Sequence, residues 1–212
     1  MDEPGDTDPM NPRKPVAAPR TLPEVQGGSG DHFAAPLGSL RSGRLRFTNG
    51  VHRVVIRADL HLRGLYRACF GDRIPTVVVQ KGTVTIRYPR VLTCDWLNCR
   101  SERLAEVALN ARIPWDVEVR GGASGLVVDL RGLRLGSLSL AGGASRVEVV
   151  LPAPSGTVSV VILGGASNVT IRRPEGGVAR LRVSGGATNV KFDDQRIGAA
   201  GGDLDLRDRV YD

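Results

Sequence analysis

The sequence predicts an all-β protein: a parallel β-solenoid of 21 to 22 residues per coil, preceded by a disordered tail. Three observations carry this. The chain has 212 residues, of which 41% are hydrophobic but only 4% aromatic, and 27 are glycine. Its core is therefore built from small aliphatic side chains in a glycine-punctuated chain, unlike most helical bundles. Second, one tetrad recurs, as Gly121-Gly122-Ala123-Ser124, Gly142-Gly143-Ala144-Ser145, Gly164-Gly165-Ala166-Ser167 and Gly185-Gly186-Ala187-Thr188, at spacings of 21, 22 and 21 residues. Third, apolar residues alternate on both sides of every tetrad, so a short strand precedes and follows each glycine pair.

Before the tetrads stand Val117 and Val119, Leu138 and Leu140, Val160 and Ile162, and Leu181 and Val183. After them come Leu126 and Val128, Val147 and Val149, Val169 and Ile171, and Val190 and Phe192. In a solenoid such strands stack in parallel about 4.8 Å apart, with alternate residues facing inward. The double glycines are structural corners, where the backbone needs positive φ or has no room for a Cβ. The leucine-rich repeat, the other architecture near this period, needs an Asn/Cys ladder and a helical half that are missing here.

Taken in order, residues 1–40 hold seven of the 13 prolines and Gly27-Gly28-Ser29-Gly30. This composition predicts a disordered tail. The solenoid domain is expected over 41–212 and is most regular over 113–202. A weaker copy of the repeat opens it, with Leu45 and Phe47 before Asn49-Gly50-Val51-His52, and Val54 and Ile56 after. Between there and Gly121 is room for about three more turns, by the 21-residue period. Strands are expected at 65–70, 76–80, 83–88 and 105–110. Lys81-Gly82 reads either as a tight hairpin or as a short corner. The stretch from Pro89 to Arg103, with Cys94, Trp96 and Cys99, is expected to leave the solenoid as a loop. A second corner recurs at Pro152-Ala153-Pro154-Ser155-Gly156 and at Pro174-Glu175-Gly176-Gly177. Asp203 to Leu206, after Gly201-Gly202, reads as a last partial coil. Six or seven coils follow from the period.

The net charge is +7, and residues 41–120 carry most of the excess, 15 Lys/Arg against 7 Asp/Glu. Arginines alternating with apolar residues line up on the outer face of a strand. Arg44, Arg46, Arg53 and Arg57 are thus a candidate interaction face, for an acidic polymer such as nucleic acid or for an acidic partner. The same pattern also serves as a solvated face that discourages edge pairing, and the scarcity of aromatics argues against single-strand binding by base stacking.

The G-G-A-S tetrads between short Val/Leu strands resemble the putative adhesin or toastrack β-solenoid domains of bacteria, of the DUF4097 type. The resemblance covers about residues 41–212. Leu65-Tyr66-Arg67-Ala68, Gly82-Thr83-Val84-Thr85-Ile86-Arg87-Tyr88 and Ile113-Pro114-Trp115 are similar to segments of uncharacterised actinobacterial proteins of this kind. It implies a right-handed all-β solenoid that binds or scaffolds, without catalytic residues. A second resemblance, to the bactofilin cytoskeletal polymers, rests on a Pro-rich tail before a β-helix; their repeat is shorter and lacks the double glycine.

Sites of chemistry are sparse. A phosphate loop needs a helix after its glycines, and here a strand follows. Calcium-binding solenoid repeats place Asp after the glycines, where this chain has Ala-Ser. His32, His52 and His61 all precede the regular repeats, and no serine is paired with a histidine and an acid by the pattern. Asp193 and Asp194 are adjacent rather than spaced as a glycosidase pair. Cys94 and Cys99 offer two metal ligands where a zinc site takes four. The three cysteines are expected as thiols. No catalytic, cofactor or metal residues are expected, so the chain reads as a non-enzymatic scaffold or protein-interaction module. Self-association through the end coils is one mode, with Arg44, Arg46 and Arg53 at the first coil attracting the acidic last one. No apolar run reaches the roughly 18 residues of a membrane-spanning helix. The acidic N-terminus is the opposite of a signal peptide, and a cytoplasmic location is expected.

Overall fold

The computed structural model describes residues 31–71, 74–89, 105–153, 158–174 and 179–207. They form seventeen strands: β1 (His32–Pro36), β2 (Gly43–Thr48), β3 (Val51–Asp59), β4 (Gly64–Cys69), β5 (Thr76–Gln80), β6 (Thr83–Arg87), β7 (Ala105–Asn110), β8 (Pro114–Arg120), β9 (Ala123–Asp129), β10 (Arg134–Ala141), β11 (Ala144–Val150), β12 (Val158–Leu163), β13 (Ala166–Arg172), β14 (Ala179–Ser184), β15 (Ala187–Phe192), β16 (Gln195–Ala200) and β17 (Leu204–Arg207). Two sheets result, one ordered β1-β4-β7-β3-β9-β11-β13-β15-β16 and the other β17-β14-β12-β10-β8-β2-β6-β5. Each coil gives one strand to each sheet, and the inward residues of both make a single hydrophobic core.

In the regular half the period becomes register. Val128 pairs with Val149, Val149 with Ile171 and Ile171 with Phe192, so equivalent side chains stand in one inward column. The corners explain the double glycine twice over. Gly142 and Gly143 have φ of +104° and +91°, a region that side chains with a Cβ adopt at a cost. A Cβ on Gly142 would also lie 2.7 Å from the Gly122 nitrogen of the coil beside it. This closeness lets one carbonyl accept two N–H groups: Gly142 and Gly143 both donate to Leu163 O, at 2.8 and 2.9 Å, as Gly121 and Gly122 do to Ala141 O. Three residues beyond the second glycine a further column has positive φ, formed by Arg53, Gly125, Arg146, Asn168 and Asn189. The strand pairing skips each of these residues, which resets the in–out alternation as a bulge does.

The coils do not rise in chain order. β2–β3 lies between β6–β7 on one side and β8–β9 on the other. The stretch from Asn49 to Gly121, expected to hold about three more turns, holds one further coil among the described residues, β6–β7; β4 and β5, in the same stretch, run antiparallel to their neighbours. β4 and β1 extend one sheet beyond β7, and β5 extends the other beyond β6. The β3–β4 link therefore passes the end of β7, while the β7–β8 link passes the end of β3. Two connections crossing at one sheet edge are rare.

Asn110 pins this crossing. It is fully buried, the sole buried polar residue among the described ones. Its amide donates to Leu62 O at 2.9 Å and Gly64 O at 2.6 Å, and its Oδ1 accepts from the Arg112 N–H at 2.9 Å. Its own carbonyl accepts the indole N–H of Trp115 at 2.9 Å. Trp115 packs over Gly43, where a Cβ would lie 2.7 Å from the ring.

β1 falls inside the stretch expected as a tail, because Phe33 and Ala35 alternate inward and Phe33 meets Phe70 edge-on at 5.5 Å. Residues 1–30 of that stretch lie outside the described residues. Lys81-Gly82 is a hairpin, with φ of 47° and 78° at its two central residues, the signs of a type I′ turn. The far end also differs from the expected forward coil. A turn at Asp193-Asp194, with Asp193 at φ 50°, reverses the chain, and β16 and β17 run antiparallel to β15 and β14. Apart from Pro89, the loop expected from Pro89 to Arg103 lies outside the described residues, as do most of both Pro/Gly corners.

Candidate functional site

The four candidate arginines do not share a face. Arg44 and Arg46 point outward from β2 in the interior of one sheet, Arg53 and Arg57 from β3 in the other. Neither strand ends the stack, so the expected head-to-tail role for Arg44, Arg46 and Arg53 meets a different geometry. The adjacent strands supply acids: Arg46 Nε donates to Glu118 at 2.8 Å, Arg44 lies 3.4 Å from Asp116, and Arg57 lies 3.2 Å from Glu106. Glu118 also accepts from Arg120 at 2.5 Å. Partial burial would raise the Glu118 carboxyl, but hydrogen bonds and charge from Arg120 and Arg46 outweigh it and hold the group below its ordinary value. Three of the four candidate arginines are thus matched by carboxylates across strands.

The outer face of the same sheet has a contrasting middle. On β10 and β12 the outward pairs are Ser137 with Ser159, Ser139 with Val161, and Ala141 with Leu163. None carries a charge, and Leu163 is 45% exposed. The strip is two strands wide, about 10 Å. β8 borders it with Asp116, Glu118 and Arg120, and β14 with Arg180 and Arg182. Both borders are tied: Ser137 donates to Asp116 at 2.8 Å, and Arg180 Nε donates to Asp205 at 3.0 Å. The outward positions of 137–141 and 159–163 are uncharged in the sequence, and the strand pairing brings them side by side.

Other named residues are placed as follows. His52 stands in the column of Ser124, Ser145, Ser167 and Thr188, an outward polar ladder in which Arg146 donates to Ser124 at 3.1 Å. Asp193 sits in the terminal hairpin and accepts from Arg173 Nε at 2.5 Å. All eight corner glycines, Gly121, Gly122, Gly142, Gly143, Gly164, Gly165, Gly185 and Gly186, have positive φ. Cys94 and Cys99 lie outside the described residues. No helix among the described residues is long and apolar enough to cross a membrane.

Comparison with known proteins bears on the same architecture. Residues 73–172 match the family model of the N-terminal domain of toast_rack, DUF2154. Those residues are thus similar to a toastrack-type domain. The resemblance carried by the tetrads named the DUF4097 type; the matching model is that of the toast_rack N-terminal domain, and its span takes in β5 to β13. The fold is also similar to a crystal structure titled as a putative cell adhesion protein from Clostridium sporogenes ATCC 15579. The two share 18% identity over 71% of this chain and 74% of that one, with a TM-score of 0.56. No curated protein matches.

Proposed function

We propose that this toastrack protein is a non-enzymatic interaction scaffold that binds a protein partner on the outer face of β10 and β12. The observation that carries this reading is the uncharged strip centred on Val161 and Leu163, bordered by charges already held in place by their neighbours. Such a face is flat and preformed, and it costs little desolvation at its centre, the arrangement of an apolar core within a polar rim. Its rigidity follows from stacking: every strand in it is hydrogen-bonded on both sides. The fold shared with a protein titled as a putative cell adhesion protein agrees with a binding role.

The strip is favoured over the ends for this role. The outermost described strands and their neighbours, β1, β5, β16 and β17 among them, pair antiparallel and leave no parallel coil edge among the described residues for another coil to continue. It is favoured over polyanion binding because Arg44, Arg46 and Arg57 have carboxylates on the neighbouring strands. The test compares proteins captured from source-cell lysate by the wild type and by Leu163→Glu, with DNA and heparin binding measured beside them. The reading expects a discrete partner lost at least about tenfold in the variant, which an unpaired charge at an interface core readily costs, with an unchanged circular dichroism spectrum. Equal capture by both proteins, or salt-sensitive retention on heparin in place of capture, contradicts it.

A further inference from the structure

We infer that Asp31, His32 and Cys69 form a surface site for a borderline divalent transition-metal ion of the zinc class. The donors are held by two paired strands. β1 and β4 run antiparallel with His32 directly opposite Cys69, which sets their Cβ atoms about 5 Å apart. Both side chains face outward, because Phe33 and Ala68 beside them point into the core. Asp31 is fixed next to the pair: its carbonyl accepts the Phe70 N–H at 2.9 Å. Its carboxylate then reaches both partners, at 3.6 Å from His32 Nε2 and 3.8 Å from Cys69 Sγ.

The donor atoms of all three lie within 4.8 Å of one another. Metal bonds of about 2.0 to 2.3 Å put tetrahedral ligands roughly 3.3 to 3.8 Å apart, so side-chain movement of about 1 Å completes the set. The strand backbones need not move. Gly64 supports this rigidity, since a Cβ there would lie 2.6 Å from Ala35 O and prise β1 off the sheet.

The donor chemistry selects the ion. One sulfur, one imidazole nitrogen and one carboxylate oxygen suit zinc, cobalt, nickel or copper, whereas calcium and magnesium take oxygen ligands. Three protein ligands leave a fourth position open at the surface. Glu106 is opposite Cys69 on the next strand, its carboxylate 3.2 Å from Arg57. Binding converts the Cys69 thiol to thiolate, releasing one proton as one S–metal bond forms. The ion would staple the edge strand to its neighbour.

The test uses the reduced full-length chain, titrated with Zn²⁺ alone by calorimetry and with Co²⁺ alone by absorption. Because Cys94 and Cys99 are a competing pair, a Cys94→Ser/Cys99→Ser variant is titrated in parallel. The inference expects one ion per chain in both proteins, with a thiolate-to-cobalt charge-transfer band. Cys69→Ser abolishes the band, and His32→Ala and Asp31→Asn each weaken binding at least about tenfold. Zn²⁺ also raises the melting temperature of the Cys94→Ser/Cys99→Ser protein and not that of the same protein carrying Cys69→Ser, as a ligand specific to the folded state must. Failure of the wild type to bind overturns the inference, and so does a band that survives Cys69→Ser or disappears with Cys94 and Cys99.

Discussion

Residues 114–192 and residues 31–110 build the same two-sheet stack by different means. The later half repeats one solution, in which each coil meets the coil 21 or 22 residues away, and the glycine pairs Gly121-Gly122, Gly142-Gly143 and Gly164-Gly165 each share one carbonyl at their corner. The earlier half has to start the stack, cap it and cross its own path. It does so with residues the repeat lacks: a buried asparagine, a glycine–tryptophan contact, and an aromatic group of Phe33, Phe70 and Tyr88. Seven of the nine aromatic residues of the chain lie between Phe33 and Trp115, ahead of the first tetrad. Regularity is thus sustained by backbone closeness, and irregularity by specific side chains.

Four tests sharpen or break this contrast, from the largest expected effect down. Asn110→Ala removes a side chain that serves three backbone groups at the crossing, and each buried group left unpaired costs about 1 to 3 kcal/mol. Chemical denaturation should show a loss of about 4 kcal/mol, and a loss under about 1 kcal/mol would mean that Asn110 does not hold the crossing. In the regular half, Gly142→Ala meets both the positive φ and the Gly122 nitrogen, and should cost about 3 kcal/mol from backbone strain and overpacking. Its control is Gly201→Ala, where nothing lies within 4 Å, expected to change stability by less than about 0.5 kcal/mol. Equal effects at the two glycines would refute the close-packed corner.

Tyr66→Phe should stabilise the earlier half. The Tyr66 hydroxyl is buried without a hydrogen-bond partner among the described residues, so removing it should gain about 1 kcal/mol. Burial also pushes the Tyr66 phenol up to about 12 from its ordinary value near 10. The folded state therefore keeps a proton that the unfolded chain loses first, and stability falls as pH rises from about 10 towards 12. That alkaline slope should be shallower in Tyr66→Phe; Tyr88, also raised to about 12 by burial, keeps part of it. The smallest effect is expected for the Arg46–Glu118 pair, whose coupling in a double-mutant cycle should stay below about 1 kcal/mol, as for other partly exposed pairs. A larger coupling would place specific side-chain pairing, alongside backbone closeness, among the forces that hold β2 to β8.

The same contrast separates what could be read along the chain from what could not. The column Val128, Val149, Ile171 and Phe192 was legible because alternation and glycine spacing both report it, and Asn49-Gly50 was legible as a corner because Asn tolerates positive φ. The order of the coils was not. A strand records which of its faces is buried, but nothing in Val54 or Ile56 says whether Leu126 or Val107 lies beside it. The direction of β16 was hidden for a similar reason: Gly201-Gly202 reads alike in a chain running forward or back, and only the Asp193-Asp194 turn separates the two. The uncharged strip was present as Ser139, Val161 and Leu163, yet it gains meaning only when neighbouring strands are known. Asp31 and His32 are far from Cys69 in sequence, and no local spacing joins them.

The most direct test of the stacking order is a through-hydrogen-bond NMR coupling at the first corner. The Gly50 N–H donates to Arg120 O at 2.7 Å, a bond that exists only if β2–β3 lies against β8–β9. A cross-peak between the Gly50 nitrogen and the Arg120 carbonyl carbon is the predicted result. A coupling from Gly50 to a carbonyl of the β6–β7 coil instead would show that the coils rise in chain order, and would contradict the account.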